Sequence, residues 1–290
     1  MSRTPIRLIL LWLLAGWQFA WAEQAPAPTD AVTADVLRQL ASAPKRGLFY
    51  EISRNGKTAY LFGTIHVGRP DFYPLELVVT QALAQSSELV VELDATQGDK
   101  MQAAILRHAT LPDSRSLDTL LTPALRKRLQ TQLDALGTPR ASVQAFKPWM
   151  ASLSLVLGPM QQYGFNPAYA TDLYLIELAR HFNKAIGELE SIDYQLKLFD
   201  SLSPKEQLDF LDETLKLLEQ GRMRDDTQAL VDAWLASDAR ALQQQSLKSM
   251  HDSPRSARWM QQKLFTERNQ LMAAGIDRML PLQLGESVAV

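Results

Sequence analysis

Tyr60-Leu61-Phe62-Gly63-Thr64-Ile65-His66-Val67-Gly68 is the stretch on which the fold turns. A short apolar run stops abruptly at Gly-Thr-Ile-His-Val-Gly. The pattern predicts a buried strand that delivers one histidine, bracketed by two glycines, to the rim of a sheet. Ligands and catalytic groups collect at such places, because the strand is rigid and glycines let other atoms approach closely. Of the four histidines in the chain, His66 is the one in this setting.

Working outward, Gly47–Ser53 and Thr58–Gly63 are two apolar runs joined through Arg54-Asn55-Gly56-Lys57. An Asn-Gly pair accepts the positive φ of a tight turn, so a hairpin is predicted. Helical spacing covers Asp30–Ala41 upstream and Pro74–Ser86 downstream, the latter with Leu75, Val78, Val79 and Leu83 facing inward. Glu88-Leu89-Val90-Val91-Glu92-Leu93-Asp94 then reads as a buried strand ending in acids. Met101–His108, Thr122–Leu136, Pro148–Leu157 and Ala168–Phe182 show apolar residues at helical intervals. Pro123 and Pro148 stand at helix starts, and Gly137 at a helix end. Lys184–Leu189 is a short strand. From Pro204 onward the pattern is helical, broken near Gly221, Ser237 and Ser253, and Ser287-Val288-Ala289-Val290 opens one more strand. The expected architecture is a single mixed α/β (α+β) domain, a central mixed sheet wrapped by many helices.

The first residues read as a secretory signal. Arg3 and Arg7 precede an apolar run from Leu8 to Ala20, and Ala20-Trp21-Ala22 supplies a small-x-small cleavage pattern. Residues 1–22 are therefore a signal peptide, 23–34 a flexible spacer and 35–290 the folded domain, in a periplasmic or secreted protein. Removing Arg3 and Arg7 leaves 28 basic against 32 acidic residues, a net charge of about −4. With no basic stripe, nucleic acid is not an expected partner. No later apolar run is long enough to span a bilayer of about 20 residues. The chain contains no cysteine, which excludes disulfides and thiolate metal sites. Its stability must come from a core, for which 46% hydrophobic residues suffice.

Three places carry candidate chemistry. His66 can act as a neutral metal ligand or a general base, against the ordinary reading of a hydrogen-bonded core histidine. Glu92 and Asp94, two apart in a strand, share a face at the strand's carboxyl end, where sites collect; the alternative is a helix-capping acid with a solvated partner. Glu190, in Gly187-Glu188-Leu189-Glu190-Ser191, ends another short strand, and its ordinary reading is the cap of the helix starting near Ser191. His108, His181 and His251 have unremarkable settings: two near helix C-termini, where a cation suits the dipole, and one in a polar break.

These stretches, with Gln195-Leu196, Glu267-Arg268-Asn269 and Met272, resemble the TraB/GumN (PrgY-like) family, which is related to the Tiki group of membrane-anchored metalloproteases. The resemblance spans roughly residues 45 to 290. It implies the fold of the erythromycin-esterase and ChaN-like proteins. It also implies a metal-dependent, peptidase-like hydrolase in which Gly-x-x-His motifs supply metal-binding histidines, Gly63-Thr64-Ile65-His66 being the first. On that basis a divalent metal would be held by His66, Glu92 and Glu190, with Glu92 or Glu190 as general base. Gly63, Thr64, Gly68, Arg268 and Asn269 would support the site, and the substrate would be a peptide or protein.

The family's second Gly-x-x-His, expected shortly after the strand that follows the Arg-Asn helix, has no counterpart up to Val290. A strand stopping there would leave an edge short of pairing residues, so the expectation is a domain lacking its C-terminal end. A site short of one ligand binds metal more weakly and keeps more open positions. The competing function is a non-catalytic periplasmic protein that sequesters a peptide or other partner in the same cleft. Haem or iron binding rests on fold analogy alone.

Overall fold

The chain reverses between Arg54 and Lys57 as expected, with Gly56 at φ +74°. The reversal joins β1 (Leu48–Arg54) to β2 (Lys57–Gly63) in an antiparallel hairpin that pairs Leu48 with Gly63 and Arg54 with Lys57. The computed structural model describes residues 42–54, 56–279 and 287–289. The expected signal segment, the spacer and the Asp30–Ala41 helix lie outside the described residues.

The remaining elements follow in order. They are α1 (Leu77–Gln85), β3 (Glu88–Val91), α2 (Gly98–His108), α3 (Leu117–Leu120), α4 (Pro123–Ala135), α5 (Pro148–Gln162), α6 (Thr171–His181) and β4 (Ala185–Glu188). After them come α7 (Ile192–Asp200), α8 (Pro204–Glu219), α9 (Arg222–Leu235), α10 (Ala239–Asp252), the short α11 (Ala257–Trp259), a π-helical stretch over Met260–Glu267, α12 (Arg268–Met279) and β5 (Ser287–Ala289). Helix starts use ordinary capping chemistry. Thr122 accepts from Leu125 N, Ser191 from Tyr194 N, and Ser203 with Glu206 forms a capping box. Gly137 and Gly221 take positive φ beside helix ends.

The five strands form one mixed sheet in the order β1-β2-β5-β3-β4. Every pairing but the hairpin is parallel, so β2, β5, β3 and β4 end at the same edge. Three expectations change. The strand at Ser287 is not an edge but the centre of the sheet, hydrogen-bonded on both sides between β2 and β3. The helix read from Pro74 begins at Leu77, after a cis Tyr73–Pro74 bond, and Val78 is 41% exposed while Leu75, Val79 and Leu83 are buried. The strand read to Asp94 stops at Val91, so Glu92 and Asp94 do not share a strand face.

One core cluster joins the sheet to α1, α6 and α9 through Phe62, Leu83, Leu89, Leu175 and Trp234. Trp234 ties the hairpin at both ends: its indole Nε1 donates to Gly63 O at 2.8 Å, and its carbonyl accepts from Gly47 N at 2.8 Å. A second core packs α2, α5 and α7 around Trp149, and a third packs α4, α5 and α8 around Leu129 and Leu215.

Beyond β2 the chain runs across to the α5–α6 connection. Ile65 N donates to Thr171 Oγ1 at 2.8 Å, and Thr171 N donates back to Ile65 O at 2.9 Å. Gly68 and Asn166 exchange backbone hydrogen bonds of 3.1 and 2.9 Å. His66 is therefore clamped between two anchored residues. The role of Gly68 is contact: a Cβ there would stand 2.1 Å from Tyr169 O. We expect Gly68→Ala to destabilise the protein by roughly 1–3 kcal/mol, as overpacking does, read as a lower urea midpoint. An unchanged midpoint would show that the clamp yields freely.

Candidate functional site

Past the last paired residues of β3 and β4, two further backbone hydrogen bonds join the two segments. Leu189 N donates to Val91 O, and Glu190 N to Glu92 O, each at 2.9 Å. This register sets the Glu92 and Glu190 side chains next to each other, where one guanidinium answers both. Arg268 is fully buried, and its Nε donates to Glu190 Oε1 and Oε2 at 3.0 and 2.9 Å. Its Nη2 bonds Glu92 Oε1 and Glu190 Oε2. Gln195, 1% exposed on α7, donates through Nε2 to Glu92 Oε1 at 2.6 Å and to Glu190 Oε2 at 3.0 Å. The Glu92 side chain is 22% exposed and that of Glu190 only 3%, so Glu92 is the member that faces outward.

Asp172, in the first turn of α6, lies next to Thr171 of the clamp, so the same anchor that fixes Ile65 places a carboxylate against the imidazole. His66 Nδ1 lies 3.1 Å from Asp172 Oδ1, with side chains 22% and 11% exposed. Burial works against charge on the ring, but the Asp172 carboxylate, aided by that of Glu92, outweighs burial and the opposing Arg268, and the His66 pKa is pushed up to about 9. Asp172 thus favours the imidazolium form of the ring, whose Nδ1 faces the carboxylate. For Arg268, burial alone would favour loss of the proton, yet Glu92 and Glu190 raise its pKa above the ordinary arginine value.

The structure brings together His66, Glu92, Glu190 and Arg268 of the expected site. Gly63 contributes its carbonyl to Trp234, and Gly68 contributes the close approach to Tyr169. Thr64 and Asn269 make no hydrogen bond to the cluster among the described residues. Glu190 is not the cap of α7; Ser191 is. Asp94 turns away to Thr96, Gln97 and Arg180. Of the trio His66, Glu92 and Glu190, expected to hold a metal, the two glutamates are engaged by Arg268. Both Glu190 oxygens are committed to Arg268, and no three His, Asp or Glu side chains group for a metal among the described residues. Asp172 and Thr171 are members of the cluster that sequence reasoning passed over. Their one local signal is a Thr-Asp pair at a helix start, which reads as helix chemistry and nothing more.

Two measurements follow from this geometry. Replacing Arg268 with Met leaves Glu190 buried without a counter-charge, and we expect a loss of about 3–5 kcal/mol in urea unfolding. The double variant with Glu190→Gln should regain much of it, and a purely additive double would contradict the pairing. For His66, NMR titration should give a midpoint near 9, falling in Asp172→Asn, where burial and Arg268 are opposed only by Glu92. Because the folded pKa lies above the unfolded one, the pair's stabilisation is complete below about 6.5 and is lost as pH rises through about 9. A His66 midpoint near 6.5 in the parent protein would contradict the pair.

The chain is 26% identical over 157 residues to the uncharacterized protein YbaP of Shigella flexneri, covering 54% of this chain and 57% of that one. It is 26% identical over 156 residues to YbaP of Escherichia coli (strain K12), covering 54% and 56%. An uncharacterized protein of Treponema pallidum (strain Nichols) is 23% identical over 206 residues, covering 68% of this chain and 60% of its own length. The chain thus spans somewhat over half the length of the curated relatives it matches. No solved structure matches it. The profile of the TraB/PrgY/gumN family matches residues 48–290, from the first strand of the hairpin through β5. The match takes in the clamp, the paired carboxylates and Arg268 alike, and the chain belongs to the TraB/PrgY/gumN family.

Proposed function

We propose that this protein is a hydrolase of peptide bonds whose reactive pair is His66 and Glu92. The observation that carries the reading is His66, 3.1 Å from the Asp172 carboxylate, at the same edge of the sheet as the partly exposed Glu92 carboxylate. In the step proposed, Glu92 takes a proton from water and the resulting hydroxide adds to the amide carbonyl. His66 then gives its proton to the departing amine nitrogen as the C–N bond breaks. Glu190 and Arg268 hold Glu92 in place. The donor set described above does not form a metal cage, so no step is assigned to a metal. We also place the protein outside the cytoplasm, on the reading of residues 1–22 as a cleaved signal.

A second reading has a specific observation behind it. Arg268 and Gln195 both engage Glu92, as they would in a structural ion pair, which suits a protein that binds a peptide without cleaving it.

The test is proteolysis of a mixed peptide library by the exported protein, whose intact mass shows whether cleavage falls after Ala22. On the hydrolytic reading, Glu92→Gln and His66→Ala each lower turnover by about 10²–10⁴-fold, the usual range for a lost acid or base. Turnover should also fall as pH rises through about 9. Assays with chelator and with added zinc or manganese settle the metal question separately. Peptide binding without turnover, unaltered by chelator or by His66→Ala, would establish the binding-protein reading instead.

A further inference from the structure

At the same edge of the sheet, a cleft of about 220 Å³ opens between α2 and α7. Its wall includes Met101, Ala103, Ala104 and Ile192, with Asp94, Glu188, Lys100 and Asp193 among its charged members. Pockets that take a whole small molecule run to roughly 300–1,000 Å³, so this one is sized for a single side chain. Both helices leave strands that end in the site. Glu92 lies two residues before Asp94, and Glu190 directly precedes Ser191, which also lines the cleft. Two residues of extended chain span at most about 7 Å, so the mouth of the cleft borders the paired carboxylates.

The charges at the mouth are not equally committed. Asp94 faces Arg180, and Asp193 faces Arg107 and His108. Glu188 accepts a hydrogen bond from Asp94 N at 2.7 Å but has no cation within ion-pair distance among the described residues. Lys100 likewise has no carboxylate within ion-pair distance among the described residues. Glu188 ends β4 and Lys100 stands in the first turn of α2, so one open charge of each sign marks the mouth, on separate elements.

We propose that this cleft is the side-chain pocket of the peptide site, and that it takes an apolar side chain flanked by one basic and one acidic residue. The apolar group is buried against Met101, Ala104 and Ile192. The basic neighbour meets Glu188, and the acidic neighbour meets Lys100. This assignment rests on the hydrolytic reading for its consequence in cleavage, but not for its consequence in binding.

The experiment measures fluorescence anisotropy of labelled peptides on the His66→Ala protein, which holds substrate without turning it over. The probes are Gly-Lys-Leu-Asp-Gly, its reverse Gly-Asp-Leu-Lys-Gly, and the same peptides with the central leucine replaced by glycine. One leucine peptide should bind at least about tenfold more tightly than its glycine counterpart. That preference should collapse to near unity in Ala103→Phe, which fills the cleft from an exposed position. Lys100→Glu should weaken the leucine peptide and restore binding to one carrying two basic neighbours, a readout that misfolding cannot produce. Equal binding of leucine and glycine peptides, or a preference untouched by Ala103→Phe, overturns the pocket even where the unmutated protein cleaves peptides. Cleft-dependent binding with no cleavage by the unmutated protein upholds the pocket and removes the hydrolytic reading.

Discussion

A single buried guanidinium organises the site. Removing Arg268 from water is costly unless every charge near it is answered, and Glu92 and Glu190 answer it from two adjacent strand ends. That requirement couples elements far apart in the chain: β3 and β4 must be in register, α7 must present Gln195, and α12 must begin at the right angle. The π-helical stretch Met260–Glu267 immediately precedes Arg268. Wide helical turns of this kind are rare and occur mostly at functional places. Here the stretch sets the rotation at which α12 delivers its first side chain inward.

The second constraint concerns the histidine. His66 does not sit at the end of a rigid strand. It lies three residues past β2, in a segment that holds its course through Ile65–Thr171 and Gly68–Asn166 hydrogen bonds. The partner that sets the charge of the ring, Asp172, follows directly after the anchoring threonine. One helix start thus fixes both where the imidazole stands and which protonation state it favours.

Much of this was legible in the chain. The Asn-Gly hairpin, the strands that precede His66, Glu92 and Glu190, and the helices broken near Gly221, Ser237 and Ser253 follow from local turn chemistry and apolar spacing. What local patterns do not reveal is which acid faces which base. Glu190 carries a helix-cap signal that Ser191 fulfils, and its burial against Arg268 depends on a contact 78 residues away. Asp172 reaches His66 across a comparable gap. Gly68 reads as a place where a ligand or reacting group can approach closely, yet what approaches it is the Tyr169 backbone, a difference that a sequence pattern cannot tell. Trp234 gave no signal beyond an apolar helix face, although it pins both ends of the hairpin.

The position of β5 has a consequence for how the molecule forms. Its strand lies between β2 and β3, although more than 220 residues of chain separate β2 from it. Until it arrives, the hairpin and the β3–β4 pair are two separate ribbons, each with an inner edge exposed. Non-local pairing of this kind is slow to form and leaves open edges prone to adding foreign strands. The sheet therefore closes late: its centre is missing until every helix between β4 and β5 has been made.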